Sequence, residues 1–139
     1  MRIPLGFMLL ATAFALVAQD QPILNENMGI VDFEPLDYPR VAGLARVSGV
    51  VVVRVKVDSD GKVVSIAAIS GPKLLIDDTL SNARKWHFQP KGSRDVVIVY
   101  DFKLEGICKG PCSSSFTFSP PNLATITAGV RLIDHGGGN

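Results

Sequence analysis

The chain has 139 residues, 47% of them hydrophobic, with 14 basic and 13 acidic side chains and a formal net charge of +1. That length suits one domain with a modest core. The balanced charge, with no basic stripe, argues against nucleic acid as a partner, and two histidines without metal-ligand spacing to the two cysteines argue against a metal site.

Met1-Arg2 opens the chain, Ile3–Val17 follows without a charge, and Ala18 closes the run. A positive start, an apolar stretch and a small residue describe a secretory signal peptide. Cleavage is expected after Ala18, with Ala15 as the alternative because Leu16 is bulky for the −3 position. The run falls short of the roughly 20 residues that a spanning helix needs, so membrane contact is expected only through this leader. Residues 19–37 form a polar lead-in, within which Ile30, Val31 and Phe33 suggest a short edge strand. Asp37-Tyr38-Pro39 has the chemistry of a helix start, proline fitting the first turn. The helix is expected over Pro39–Val47, burying Ala42 and Ala45 with Val41 beside them.

Gly49–Gly61, GVVVVRVKVDSDG, is the strongest strand signal. Period-two alternation puts Val51, Val53, Val55 and Val57 on one wholly apolar face. Val50, Val52, Arg54 and Lys56 take the other, which turns charged halfway along. That pattern suits an antiparallel sheet covered on one side. Asp58-Ser59-Asp60-Gly61 is turn chemistry, with Gly61 supplying a positive φ. In Lys62–Ser70, Ile66 and Ala68 alternate but Val63 is out of phase, which a bulge near Val64-Ser65 would reconcile. Leu74–Phe88 reads as a helix with Ile76, Leu80, Ala83 and His87 on one stripe. Its lone Trp86 is expected to pack in the core rather than stack on a ligand, and His87 is expected to be a core histidine.

Arg94–Glu105 is the third strong strand. Val96, Ile98, Tyr100, Phe102 and Leu104 form its apolar face; Val97, Val99, Asp101 and Lys103 form the other. The central strand Gly49–Val57 should lie between this strand and Lys62–Ser70. Cys108 and Cys112 lie in the loop that follows, and in an exported chain a disulfide is the default. Phe116–Ser119 and Leu123–Leu132 suggest two more strands, split by Pro120-Pro121, before a Gly136–Gly138 tail.

Little here points to catalysis. Asp77 and Asp78 are adjacent on a helix and do not face each other. Ser113-Ser114-Ser115 has no base beside it, and Asp58–Gly61 lacks the later acidic ligand of a calcium loop. The expectation is no enzyme, no catalytic residue, no cofactor, no metal and no small-molecule substrate.

Taken in order, Tyr38-Pro39, the valine strand ending in Val57-Asp58-x-Asp60-Gly61, Ser70-Gly71, and Arg84-Lys85-Trp86-x-Phe88-x-Pro90 resemble the TonB C-terminal domain over residues 38–104. The expected fold is α+β, two helices on one face of a small antiparallel sheet, with residues 105–139 as a disulfide loop and C-terminal β extension. The resemblance implies a periplasmic module of outer-membrane transport systems that binds a protein or peptide partner, such as an outer-membrane receptor, by strand addition. Carried onto this sequence, the receiving edge is Asp95–Lys103, with Val97, Val99, Asp101 and Lys103 free to read side chains. A cleavable leader and a short lead-in stand where energy transducers of the family carry an anchor and a long spacer. The extension opens an alternative: a stand-alone structural or homodimerising module of the cell envelope, its sheet edge closed by its own tail.

Overall fold

The computed structural model describes residues 28–132. The predicted leader with its cleavage site, the first part of the lead-in (residues 19–27) and the glycine tail lie outside that range.

The valine strand decides the architecture. β2 (Gly49–Val57) follows the short helix α1 (Arg40–Leu44), and Val51, Val53, Val55 and Val57 have no exposed surface. It lies between β3 (Val63–Ser70) and β5 (Arg94–Cys108), antiparallel to both, as the alternation predicts. β3 pairs Val57 with Val63 but Lys56 with Ser65. Val64 is therefore the extra residue of the predicted bulge, and the bulge lets Val63 and Ile66 share one face. A second bulge, at Ile69, sets Ser70 opposite Val52.

Between β3 and β5 runs α2 (Lys73–Ala83), then the two-residue strand β4 (His87–Phe88), which pairs with β1 (Ile30–Asp32). Leu75 and Ala83 of α2 and Ala42 of α1 join the valines, Trp86, Ile98, Tyr100 and Phe102 in one core. The predicted stripe on the second helix is displaced by one residue. Leu75, Thr79, Asn82 and Ala83 are buried, whereas Ile76 and Leu80 only flank the core. The helix also ends before the predicted Phe88. Extended backbone after Trp86 then turns Phe88 inward and leaves His87 exposed, so His87 is not a core histidine. In α1 only Ala42 is buried; Ala45 and Val41 face solvent, because the helix stops at Leu44 and makes little more than one turn.

Two polar residues sit where the hydropathy pattern expects none. Thr79 donates its hydroxyl to Leu75 O, a bond that satisfies it within the helix. Asn82 is a hub. Its Oδ1 accepts Trp86 Nε1–H and the Tyr100 hydroxyl, each at 3.0 Å, and its Nδ2 donates to Glu34 O at 2.8 Å. One amide thus ties α2 to β5, to the tryptophan and to the segment before α1.

After β5 the chain turns through the disulfide loop into β6 (Ser114–Ser119) and returns as β7 (Leu123–Arg131). The sheet order is β3-β2-β5-β7-β6. β7 enters between β5 and β6, antiparallel to β6 and parallel to β5. The sheet is therefore mixed rather than wholly antiparallel, because the hairpin presents its second strand, not its first, to β5. Ala124, Ile126 and Ala128 continue the core face, and Phe116 and Phe118 close over Phe33.

Two outcomes test this packing. Gly61 has φ +83°, and a Cβ there would meet Phe88 O at 2.1 Å. Gly61→Ala is expected to lower unfolding free energy by about 3 kcal/mol, read as a fall in urea midpoint. Burial pushes the Tyr100 phenol far above its ordinary 10.0. The unfolded chain then loses that proton near its ordinary pKa while the native chain keeps it, so the unfolded state binds fewer protons above about pH 10. Stability should hold below about pH 10 and fall as pH rises beyond it. Burial raises Tyr38 as well, in the same direction. Tyr100→Phe is expected to flatten most of the alkaline slope in denaturation curves taken from about pH 8 to about pH 11.

Candidate functional site

The side chains predicted to read a partner project as expected. Val96, Ile98, Tyr100 and Phe102 are buried, so Val97, Val99, Asp101 and Lys103 point away from the core. The first three are half-buried and Lys103 is exposed, with its Nζ 3.6 Å from Asp101 Oδ2. Their backbone is another matter. β2 occupies one side of β5 from Arg94 to Phe102. On the other side Val99 N–H donates to Asn122 O at 2.9 Å, and β7 then runs alongside from Val99↔Leu123 to Leu104↔Ala128, resuming at Ile107↔Val130 and Cys108↔Arg131. Next to this ladder, Asn122 Nδ2 donates to Val97 O at 3.1 Å. The edge over Asp95–Lys103 is thus filled within the chain from Val99 onward, and only the Arg94–Ile98 end extends beyond β7. The own-tail closure that the extension raised as an alternative is the arrangement found.

Cys108 and Cys112 form the predicted disulfide, with Cα atoms 5.7 Å apart. The bond tightens the loop that reverses the chain into β6. Ser114, at the start of β6, fastens the extension to the first helix. It accepts Tyr38 N–H at 3.1 Å and donates to Asp37 Oδ1 at 3.2 Å. Tyr38 also donates its hydroxyl to Val47 O and meets Phe102 edge-on at 5.5 Å. The Tyr-Pro corner is therefore a junction among α1, β5 and the extension.

With the β5 edge filled, the outer edge of the sheet moves to β6. Val99 N–H points to β7, so in the parallel ladder the even residues of β7 answer β5 and its odd residues answer β6. Thr125 and Thr127 lie opposite Thr117 and Ser115. The N–H and C=O groups of Phe116 and Phe118 consequently face outward. β6 has six residues, no charge, and regular register with β7 throughout. The opposite rim, β3, carries two bulges. Bulges and charges are the usual devices that blunt an edge; β3 has the first and β6 has neither.

Beside the start of β6 lies a cleft of ≈ 640 Å³, walled by Pro39–Leu44, the disulfide loop and the end of β7, and lined by Arg40 and Arg131. Neither this cleft nor the open edge of β6 is legible in the sequence. The arginines are far apart in sequence, and only the parallel placement of β7 puts both on the lining of one cleft. Elsewhere, Asp58 Oδ1 is taken by the N–H groups of Asp60 and Lys62, each at 2.9 Å, as in a plain hairpin turn.

Residues 34–104 match the family model described as Gram-negative bacterial TonB protein C-terminal, just over half of the chain. The chain belongs to that family. No curated protein matches it. The TonB C-terminal match ends within β5, at Leu104. The disulfide loop, β6 and β7 are thus additions to the matched domain, and it is they that fill its last strand's edge. The family is a Gram-negative envelope domain, and the disulfide accords with an exported chain.

Amide hydrogen exchange checks this assignment of edges. The amides of Val99, Asp101 and Lys103 should be protected by β7, while those of Phe116 and Phe118 exchange at least about a hundredfold faster. Fast exchange at Val99 and Asp101 would mean that β7 does not hold the β5 edge in solution.

Proposed function

We propose that the protein is a protein-binding module of the Gram-negative periplasm that takes an extended segment of its partner by strand addition at β6. The observation that carries this reading is the position of β7, which occupies the β5 edge and leaves β6 as the regular, uncharged rim of a five-stranded sheet. Strand addition draws its affinity from backbone groups, and the outward N–H and C=O groups of Phe116 and Phe118 supply them. Membership of the TonB C-terminal family supports a role connected with envelope transport and a protein partner such as an outer-membrane receptor. On this reading the mature chain begins after Ala18 and acts by binding, with no chemical step. Val97, Val99, Asp101 and Lys103 then form an outer face beside the added strand's neighbours rather than the pairing edge itself.

A second reading rests on the same rim. An uncharged edge meets a copy of itself without repulsion, and antiparallel pairing of two β6 strands about Thr117 would set Phe116 opposite Phe118 on the core face. The protein would then be a structural dimer of the envelope.

Photo-crosslinking in living cells separates the two. A benzophenone side chain at the exposed Thr117 is expected to give an adduct with a second envelope protein, and one at Lys103 is expected to give none. An adduct of twice the chain's mass from Thr117 would favour the dimer. Adducts from Lys103 alone would reject strand addition at β6.

A further inference from the structure

We propose that the cleft at the start of β6 holds the carboxylate terminus of the extended partner segment. The inference rests on strand addition at β6 and names the partner's chemistry.

The direction of β6 comes first. The strand starts at Ser114, beside the cleft, and runs away from it to Ser119. A segment added antiparallel, the slightly more stable pairing, runs toward the cleft and brings its C-terminal end there. A parallel segment would bring its N-terminal end.

The charge of the cleft selects between these. Arg40 enters from α1 and Arg131 from the end of β7. Among the described residues the ion pairs are Lys85 with Glu34 and Lys103 with Asp101, so neither arginine is engaged in one. Asp37 is the opposing charge in the lining, and its Oδ1 already accepts the Ser114 hydroxyl. Two guanidinium groups against one carboxylate leave the lining net positive, which disfavours an amine and suits a carboxylate, which arginine binds through paired N–H donors. Tyr38, Leu44 and Pro111 supply apolar wall beside them. A terminal residue with an aliphatic side chain therefore matches the cleft better than a terminal aspartate or lysine.

The ligand expected is an extended, uncharged chain end closing with an aliphatic residue and a free carboxylate. The test uses fluorescence anisotropy on the intact protein with a short labelled Thr/Val peptide ending in leucine, as the free acid and as its C-terminal amide. The free acid is expected to bind about tenfold tighter, the worth of one good charge-assisted contact. Both arginines are exposed, so Arg40→Gln with Arg131→Gln should keep the fold, and it should erase the difference between acid and amide. Raised salt should narrow the difference too. Equal affinity for acid and amide, with amide shifts along β6, would overturn the carboxylate site and leave strand addition standing. No binding of either peptide at millimolar concentration would overturn strand addition, and this proposal with it.

Discussion

Four valines on one side of β2 leave this chain few ways to fold. Each is an apolar side chain that water excludes, and burying one fully contributes about 1.5–3 kcal/mol. The face they make must be covered, and the two helices and the aromatic cluster are what cover it. The opposite face, with Arg54 and Lys56, faces water. From that asymmetry follow the central place of β2 and the antiparallel neighbours on both sides. Asn82 works within the same constraint. A polar amide can sit beneath such a layer only when every group it offers is used, and it uses both ends on Trp86, Tyr100 and the Glu34 carbonyl.

A sheet organised this way creates a second constraint at its rim. Every open strand has a row of unsatisfied backbone groups, and the protein treats its two rims differently. β3 bends away from pairing through bulges at Val64 and Ile69. β5 is instead covered by β7, whose inward side chains Ala124, Ile126 and Ala128 lie opposite Tyr100, Phe102 and Leu104. Covering one edge exposes the next. The backbone groups that β5 no longer presents reappear on β6, in a strand tied by Ser114 to the Tyr-Pro corner. The extension thus moves the open edge of the sheet outward by two strands and sets the arginine-lined cleft at its end.

The central part of this architecture was legible because its signals are local. The alternation in Gly49–Val57, the turn at Asp58–Gly61 and the phase slip at Val63 each depend on neighbouring residues, and each corresponds to a feature of the structure, down to the bulge at Val64. The hydropathy stripe of α2 lies one residue off the buried one because Thr79 and Asn82 are buried and polar. A hydropathy pattern favours Ile76 and Leu80 over them, and nothing in sequence shows that Thr79 bonds back to Leu75. The parallel entry of β7 was not legible. Hairpins announce that two strands pair, but not which of them faces the rest of the sheet. With that unknown, neither the closed β5 edge nor the placing of Arg40 and Arg131 on one cleft was within reach of the sequence, although the parity of Val97, Val99, Asp101 and Lys103 was.

The interleaved position of β7 also has a mechanical meaning. It is bonded to β5 on one side and to β6 on the other, and it runs nearly to the end of the described chain. A pull at Arg131 acts along the axis of β7, so both ladders carry the load together, in shear. Their hydrogen bonds must yield collectively rather than one after another. A tug applied across β6 would meet a single ladder and peel it bond by bond. The molecule should therefore resist tension along its C-terminal strand while giving way readily at its rim.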